Sequence, residues 1–303
     1  MKNILSCLGI ATVILCAGLY AFQGTATNRQ PKTTPTIAAP SLQPNQTATP
    51  TPISTNQPKP TPSPLAIAPT SGTQLYYQRR ASLKAGKIYT HPKHLIEPPE
   101  TGKLPKPTHQ QWKNLLAQEA QAVVKGQGDN RLALLVGDSL SLWFPPDYLP
   151  EGYLWLNQSI SGENSTQILN RLSIFAHTEP DIIYVMAGTN DLRQGVSDEQ
   201  ILNTIRQILY RLRQTHPQAQ IIVQSILPTR VSIQSSDRIH HLNEQIAAIA
   251  VQQQANYLNL YALFLGRDNQ LRPELTTDGI HLTPLAYRIW QQELYYTAIL
   301  SHP

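Results

Sequence analysis

The sequence predicts an α/β fold, a three-layer α/β/α sandwich around a five-stranded parallel sheet. Two observations carry that prediction. Short, almost wholly apolar runs recur through the second half of the 303-residue chain, as expected of strands buried on both faces. Between them lie stretches whose apolar residues repeat at helical spacing. Strands alternating with helices imply βαβ units and a parallel sheet between two helical layers.

The elements follow in order. Leu132-Ala133-Leu134-Leu135-Val136 is the first strand. Residues 153–160 form the second and 181–186 the third. Residues 220–227, with Ile221, Ile222 and Val223, form the fourth, and 257–261 a short fifth. Ser197 reads as an N-cap, with Asp198 and Glu199 in the first turn, where the helix dipole favours acids. Ile201, Ile205, Ile208, Leu209 and Leu212 continue that helix, and Pro217 ends it. Residues 237–254 form another helix, with Ile239, Leu242, Ile246 and Ile249 on one face. Thr283 and Pro284 make an N-cap and N1 pair for a last helix carrying Leu285, Ile289, Leu294 and Ile299.

Upstream, residues 108–125 form a helix whose Trp112, Leu115, Leu116, Ala120, Val123 and Val124 suit packing on the following domain. Glu119 falls on the same stripe and conflicts with it.

Four blocks carry chemistry. Gly137-Asp138-Ser139-Leu140-Ser141 follows the first strand, where an α/β sheet presents residues to a ligand. Gly162 lies in Ser159-Ile160-Ser161-Gly162-Glu163-Asn164. Gly188-Thr189-Asn190-Asp191 follows the third strand. Asp278-Gly279-Ile280-His281 precedes the last helix. Each block alone also has an ordinary reading as a turn or a cap.

Together, in this order and over roughly residues 130–301, they resemble the SGNH hydrolases, also called the GDSL esterase/lipase family. The resemblance implies a flavodoxin-like sheet. It also implies Ser139 as nucleophile, His281 as base and Asp278 as acid. The oxyanion hole would be the Ser139 amide, Gly162 and Asn190. A serine hydroxyl needs an adjacent base, and imidazole suits that work near neutral pH. A carboxylate on the other ring nitrogen fixes the tautomer. The G-x-S-x-G elbow of α/β-hydrolases is absent, because Ser141 stands where its second glycine would be. Asp138 and Asp191 read as local hydrogen-bonding residues. Leu142-Trp143-Phe144 either lines an acyl pocket or packs.

The first 127 residues differ in character. Lys2 precedes residues 4–22, which carry no charge. At about 1.5 Å per residue that stretch nearly spans a bilayer core. Residues 1–27 are therefore expected to be a membrane anchor or a signal peptide. The length favours an anchor, and Gly24-Thr25-Ala26 offers a cleavage site. Cys7 and Cys16 are the only cysteines. Leu15 before Cys16 argues against lipidation. The rest of the chain has no disulfide and no thiol metal site.

Residues 28–73 are rich in Pro and Thr, with no acidic and no aromatic residue. They read as a disordered, extended linker. Residues 74–127 form a basic, partly helical preface, and 128–303 the catalytic domain. Net charge is +4 over 1–73, +6 over 74–127 and −5 over 128–303, so the basic character belongs to the N-terminal part. No basic run interleaved with aromatics points to nucleic acid.

The expectation is an extracytoplasmic enzyme, periplasmic or secreted. It would hydrolyse acyl esters of lipid or O-acylated carbohydrate through an acyl-enzyme on Ser139, with membrane association through residues 4–22. No metal or organic cofactor is implied. An acyltransferase on the same fold and a non-catalytic envelope-binding module are the alternatives.

Overall fold

A computed structural model describes residues 69–87, 104–231 and 235–300. The anchor or signal segment and almost all of the linker lie outside the described residues. The elements are α1 (Gly72–Lys84), α2 (His109–Gly126), β1 (Leu132–Val136), α3 (Ser139–Leu142), β2 (Leu154–Asn157), α4 (Ser165–Leu169) and β3 (Ile182–Val185). They continue with α5 (Thr189–Arg193), α6 (Asp198–Thr215), β4 (Gln220–Gln224), α7 (Ser236–Gln252), β5 (Asn256–Leu258), α8 (Tyr261–Phe264) and α9 (Pro284–Leu300).

The five strands pair in parallel in the order β2-β1-β3-β4-β5, the arrangement the sequence predicts. Alternate residues of β1 face opposite layers. Leu132, Leu134 and Val136 pack with residues of α2, α6 and α7. Ala133 and Leu135 pack with Phe264 of α8 and Tyr287, Trp290 and Leu294 of α9. Burying a side chain of this kind contributes about 1.5–3 kcal/mol, so both faces of the sheet are strongly held.

Helix ends follow their local chemistry. The Ser197 hydroxyl caps α6, accepting from Gln200 N at 3.3 Å. Helix α7 stops at Gln252, short of the predicted 254, because Gln254 adopts φ 54° and cannot continue a right-handed helix. The second and fourth strands also stop short of the predicted 160 and 227. The backbone beyond β2 keeps contact with β1, through Gln158 N to Leu135 O at 2.7 Å and Ile160 N to Gly137 O at 3.2 Å. In the fifth strand, Tyr261 leaves the sheet to open α8, its N–H donating to Ser225 Oγ at 2.7 Å.

The face of α9 differs from the predicted set. Leu285 is exposed, Ile299 lies outside the described side chains, and among the described ones the buried residues are Ala286, Tyr287, Trp290, Leu294 and Ala298. Two aromatics with polar handles anchor this helix. Tyr287 Oη donates to Leu140 O at 3.0 Å, and Trp290 Nε1 donates to Gln224 Oε1 at 2.6 Å.

The preface holds two helices. Helix α2 begins after a Thr108 capping box, and its Ala120 and Val123 join the main core. Helix α1 starts at Gly72, inside the stretch read as linker, with Ser71 as its cap. It resolves the conflict at Glu119. Arg79 of α1 pairs with Glu119, both are buried, and Arg79 Nη2 also donates to Asn157 O at the end of β2 at 2.7 Å. An acid on an apolar stripe is tolerated when a cation arrives from another element.

Candidate active site

The site stands at the carboxyl ends of the strands. Gly137 leaves β1 where a Cβ would lie 2.7 Å from Met186 O and 2.6 Å from Ser141 Oγ. Glycine is needed there for close approach to the exit of β3, because its φ is not positive. Asp138 then caps α3, its Oδ1 accepting from Leu140 N at 3.0 Å. Ser139 becomes the first residue of α3, with the residue 8% exposed.

His281 reaches Ser139 from the other end of the chain. Ser139 Oγ and His281 Nε2 are 3.1 Å apart. His281 Nδ1 lies 2.7 Å from Asp278 Oδ2, an acceptor that fixes this nitrogen as the N–H. The turn from Asp278 to His281 is held by its own polar atoms. Asp278 Oδ1 accepts from Ile280 N at 3.0 Å and His281 N at 2.8 Å. Thr276 Oγ1 accepts from Gly279 N at 2.8 Å, and Gly279 adopts φ 92°. Burial pushes the Asp278 carboxyl up. The hydrogen bonds from the His281 ring and from the His281 and Ile280 amides outweigh it, leaving the group below its usual value and ionised. Ser139, His281 and Asp278 thus form one hydrogen-bonded chain.

The residues expected to form the oxyanion hole are linked through Asn190, which bonds both Asp138, next to Ser139, and the carbonyl of Glu163, next to Gly162. Gly162 has φ 82°, and a Cβ there would meet no atom within 4 Å, so glycine serves conformation, not space. Asn190 is the second residue of α5. Its Nδ2 donates to Asp138 Oδ2 at 3.1 Å and to Glu163 O at 3.0 Å, so both amide hydrogens have acceptors. Among the described residues the Gly162 N–H has no acceptor. Burial raises Asp138 to about 6, against the opposing pull of the Leu140 amide and His281. Asp191 accepts from Ser165 N at 2.8 Å and Ser165 Oγ at 2.5 Å. Both aspartates are hydrogen-bonding residues, but not only local ones, since Asp138 also reaches Asn190 and Asp191 reaches Ser165.

Sequence reasoning missed the residues behind this arrangement. Glu163 is buried and accepts from Arg171 Nε at 2.6 Å and His109 Nε2 at 2.7 Å. Arg171 also donates to Gln158 O at 2.6 Å and Gly137 O at 3.2 Å. The one local signal was an acid next to Gly162; its partners are distant in sequence. Beside His281 opens a cleft of about 510 Å³, bordered by Thr70, Trp143, Pro145, Leu282, Pro284 and Tyr287. Trp143 faces this cleft, whereas Leu142 and Phe144 are buried in packing. Among the described residues no cluster of three or more His, Cys, Asp or Glu could hold a metal.

Residues 123–289 match the model of the GDSL-like Lipase/Acylhydrolase family. The chain belongs to that family. That family is a class of serine ester hydrolases. Human platelet-activating factor acetylhydrolase IB subunit alpha1 is 29% identical over 139 residues, 44% of this chain and 58% of that protein. An N-acylneuraminate cytidylyltransferase of Streptococcus agalactiae is 26% identical over 137 residues, 45% of this chain and 33% of that protein. The GDSL-like chain therefore spans less than two thirds of the curated relatives it matches. In structure it is similar to a GDSL-like lipase from Bacteroides thetaiotaomicron, with a TM-score of 0.54 and 22% identity, covering 63% of this chain and 98% of that one.

Proposed function

We propose that the protein hydrolyses acyl esters of lipid or O-acylated carbohydrate through an acyl-enzyme on Ser139. The observation that carries this reading is the hydrogen-bonded chain from Ser139 Oγ through His281 to Asp278. Ser139 Oγ attacks the ester carbonyl carbon while its proton passes to His281 Nε2. The negative charge on the carbonyl oxygen meets the amides of Ser139 and Gly162. One Asn190 hydrogen turns to it as well, because an oxyanion is a stronger acceptor than the Glu163 carbonyl. The intermediate collapses, the C–O bond to the alcohol breaks, and His281 returns its proton to the leaving oxygen. Water then attacks the acyl-enzyme, with His281 again as base, releasing the acid and restoring Ser139. The cleft beside His281 lies where the leaving alcohol must sit, since His281 protonates it.

An acceptor sugar in that cleft would replace water, which is the acyl-transfer reading. We assign the enzyme to the outside of the cytoplasmic membrane, supported by the charge-free run 4–22 and the Pro/Thr-rich stretch after it. Among the described residues no helix is long and apolar enough to cross a membrane.

The test is hydrolysis of p-nitrophenyl acetate and longer acyl esters by the wild-type chain and Ser139→Ala. Turnover lost in the variant is expected. Transfer to an added oligosaccharide faster than to water would favour the transferase, and no turnover of any ester by the wild type would overturn the esterase. For location, the full chain expressed with and without residues 2–27 is fractionated. Export or membrane association that requires those residues is expected, and identical cytoplasmic recovery would contradict it.

A further inference from the structure

Glu163 connects the two expected oxyanion donors. Its peptide neighbour is Gly162, and its own carbonyl accepts from Asn190 Nδ2 at 3.0 Å. Its carboxylate is held from two sides, by Arg171 and by His109. Arg171 ties that carboxylate to the carbonyls of Gly137 and Gln158, at the exits of β1 and β2. His109 comes from elsewhere. It is the first residue of α2 and precedes residues 123–289, the stretch that matches the family. The His109 side chain is 48% exposed, while that of Glu163 is 1% exposed.

We infer that His109 is a positioning residue, through which the preface holds the Gly162 amide in place for the oxyanion. This rests on the esterase reading for its kinetic consequence. The physical argument is one of constraint. Gly162 has no side chain, an open surround and a left-handed backbone, and the backbone bond that closes its turn, Glu163 N to Ile160 O, is long at 3.4 Å, so local contacts hold its peptide weakly. The next residue, Glu163, is fixed by its carboxylate. Each Oε atom has a separate donor, Arg171 Nε on Oε2 and His109 Nε2 on Oε1. With one donor removed, the carboxylate can rotate about the remaining bond, and the turn that runs through the Gly162–Glu163 peptide to the Gly162 N–H one unit upstream gains freedom. Because Arg171 still neutralises Glu163, and His109 is half-exposed at a helix end, the fold does not depend on His109.

The experiment compares the full-length wild type with His109→Ala and His109→Gln, using p-nitrophenyl acetate and amide hydrogen exchange over residues 161–165. Deleting an oxyanion donor costs about 10²–10³-fold in kcat, and loosening one is a smaller insult, so His109→Ala should lower kcat about 5–20-fold. KM and Tm should hardly move, and exchange over 161–165 should quicken. His109→Gln, whose amide N–H reaches the same carboxylate oxygen, should restore both kcat and protection. Unchanged kcat and exchange in His109→Ala would overturn the inference. So would equal losses in both variants that follow Tm. If the wild type turns over no ester, the esterase reading fails. The exchange comparison then decides the positioning of Gly162 separately, with quickened exchange rescued by Gln supporting it and unchanged exchange overturning it.

Discussion

Asp278 and His281 stand three residues apart on a half-exposed turn, and the turn's own amides and hydroxyls shape it. Asn190 and the Gly162-Glu163 pair are held instead by buried polar groups that lie apart from them in the chain, Asp138 and Arg171, with His109 reaching in from the preface. The first arrangement is local. Little protein depends on it, so changes there should fall on rate. The second buries charge where water cannot compensate, so changes at its buried members should fall on rate and stability together, while the half-exposed His109 should act on rate alone.

The largest expected effect lies on the exposed side. His281→Ala should lower kcat about 10⁴–10⁶-fold, as loss of a triad base does, while its Tm stays near that of the wild type. Esterase assays paired with thermal unfolding check this, and a large loss of Tm would break the contrast. Arg171→Ala should lower stability as well as rate. It leaves the Glu163 carboxylate buried with only His109 beside it, and removing one partner of a buried pair costs about 3–5 kcal/mol, measurable by urea unfolding.

Asn190→Ala should show both signatures. Loss of an oxyanion donor lowers kcat about 10²–10³-fold, and stranding Asp138 Oδ2 and Glu163 O costs about 1–3 kcal/mol. A rate loss with no stability change would mean that the buried network does not need Asn190.

The smallest effect is one of pH, at the other end of the sheet. His216 is buried at the end of α6, stacked on Phe175, and burial lowers it from 6.5 to about 4. Between those values the unfolded chain binds a proton that the folded chain refuses. The stability His216 contributes is complete above 6.5 and is lost as pH falls through about 4. Asp138 runs the other way. Its folded carboxyl keeps a proton up to about 6, so its contribution is present below the unfolded value of 3.8 and is lost as pH rises through about 6. His216→Gln should therefore flatten the acid side of the stability curve by about 2–3 kcal/mol at most. Urea unfolding at a series of pH values reads this, and an unchanged slope would contradict the buried neutral imidazole.

The same contrast explains what could be read in the sequence. The strand 132–136 and the helix opened by Ser197 announce themselves by apolar runs, spacing and caps. The motif blocks named Ser139, Gly162, Asn190, Asp278 and His281, and the structure links His281 and Asp278 to Ser139 in one hydrogen-bonded chain and ties Asn190 to the neighbours of Ser139 and Gly162. Glu163, Arg171 and His109 had no such signal, because ion pairs closed over 8 and 54 residues leave no period in the chain. Helix α1 was illegible for a related reason. Its buried face includes Gln78, Arg79 and Ser82, and Arg79 makes sense there only once Glu119 and Asn157 are beside it. On α9, the apolar pattern picks out Leu285 and passes over Tyr287 and Trp290. The polar ends of Tyr287 and Trp290, each with a buried acceptor, decided which side turned inward.

The most direct test of the whole arrangement is covalent. The full-length protein is treated with a fluorophosphonate, and the adduct is mapped by peptide mass spectrometry. A single adduct on Ser139, absent in His281→Ala, is the predicted result. No adduct in the wild type, or an adduct on a different residue, would contradict the account of Ser139 as the nucleophile served by both sides of the site.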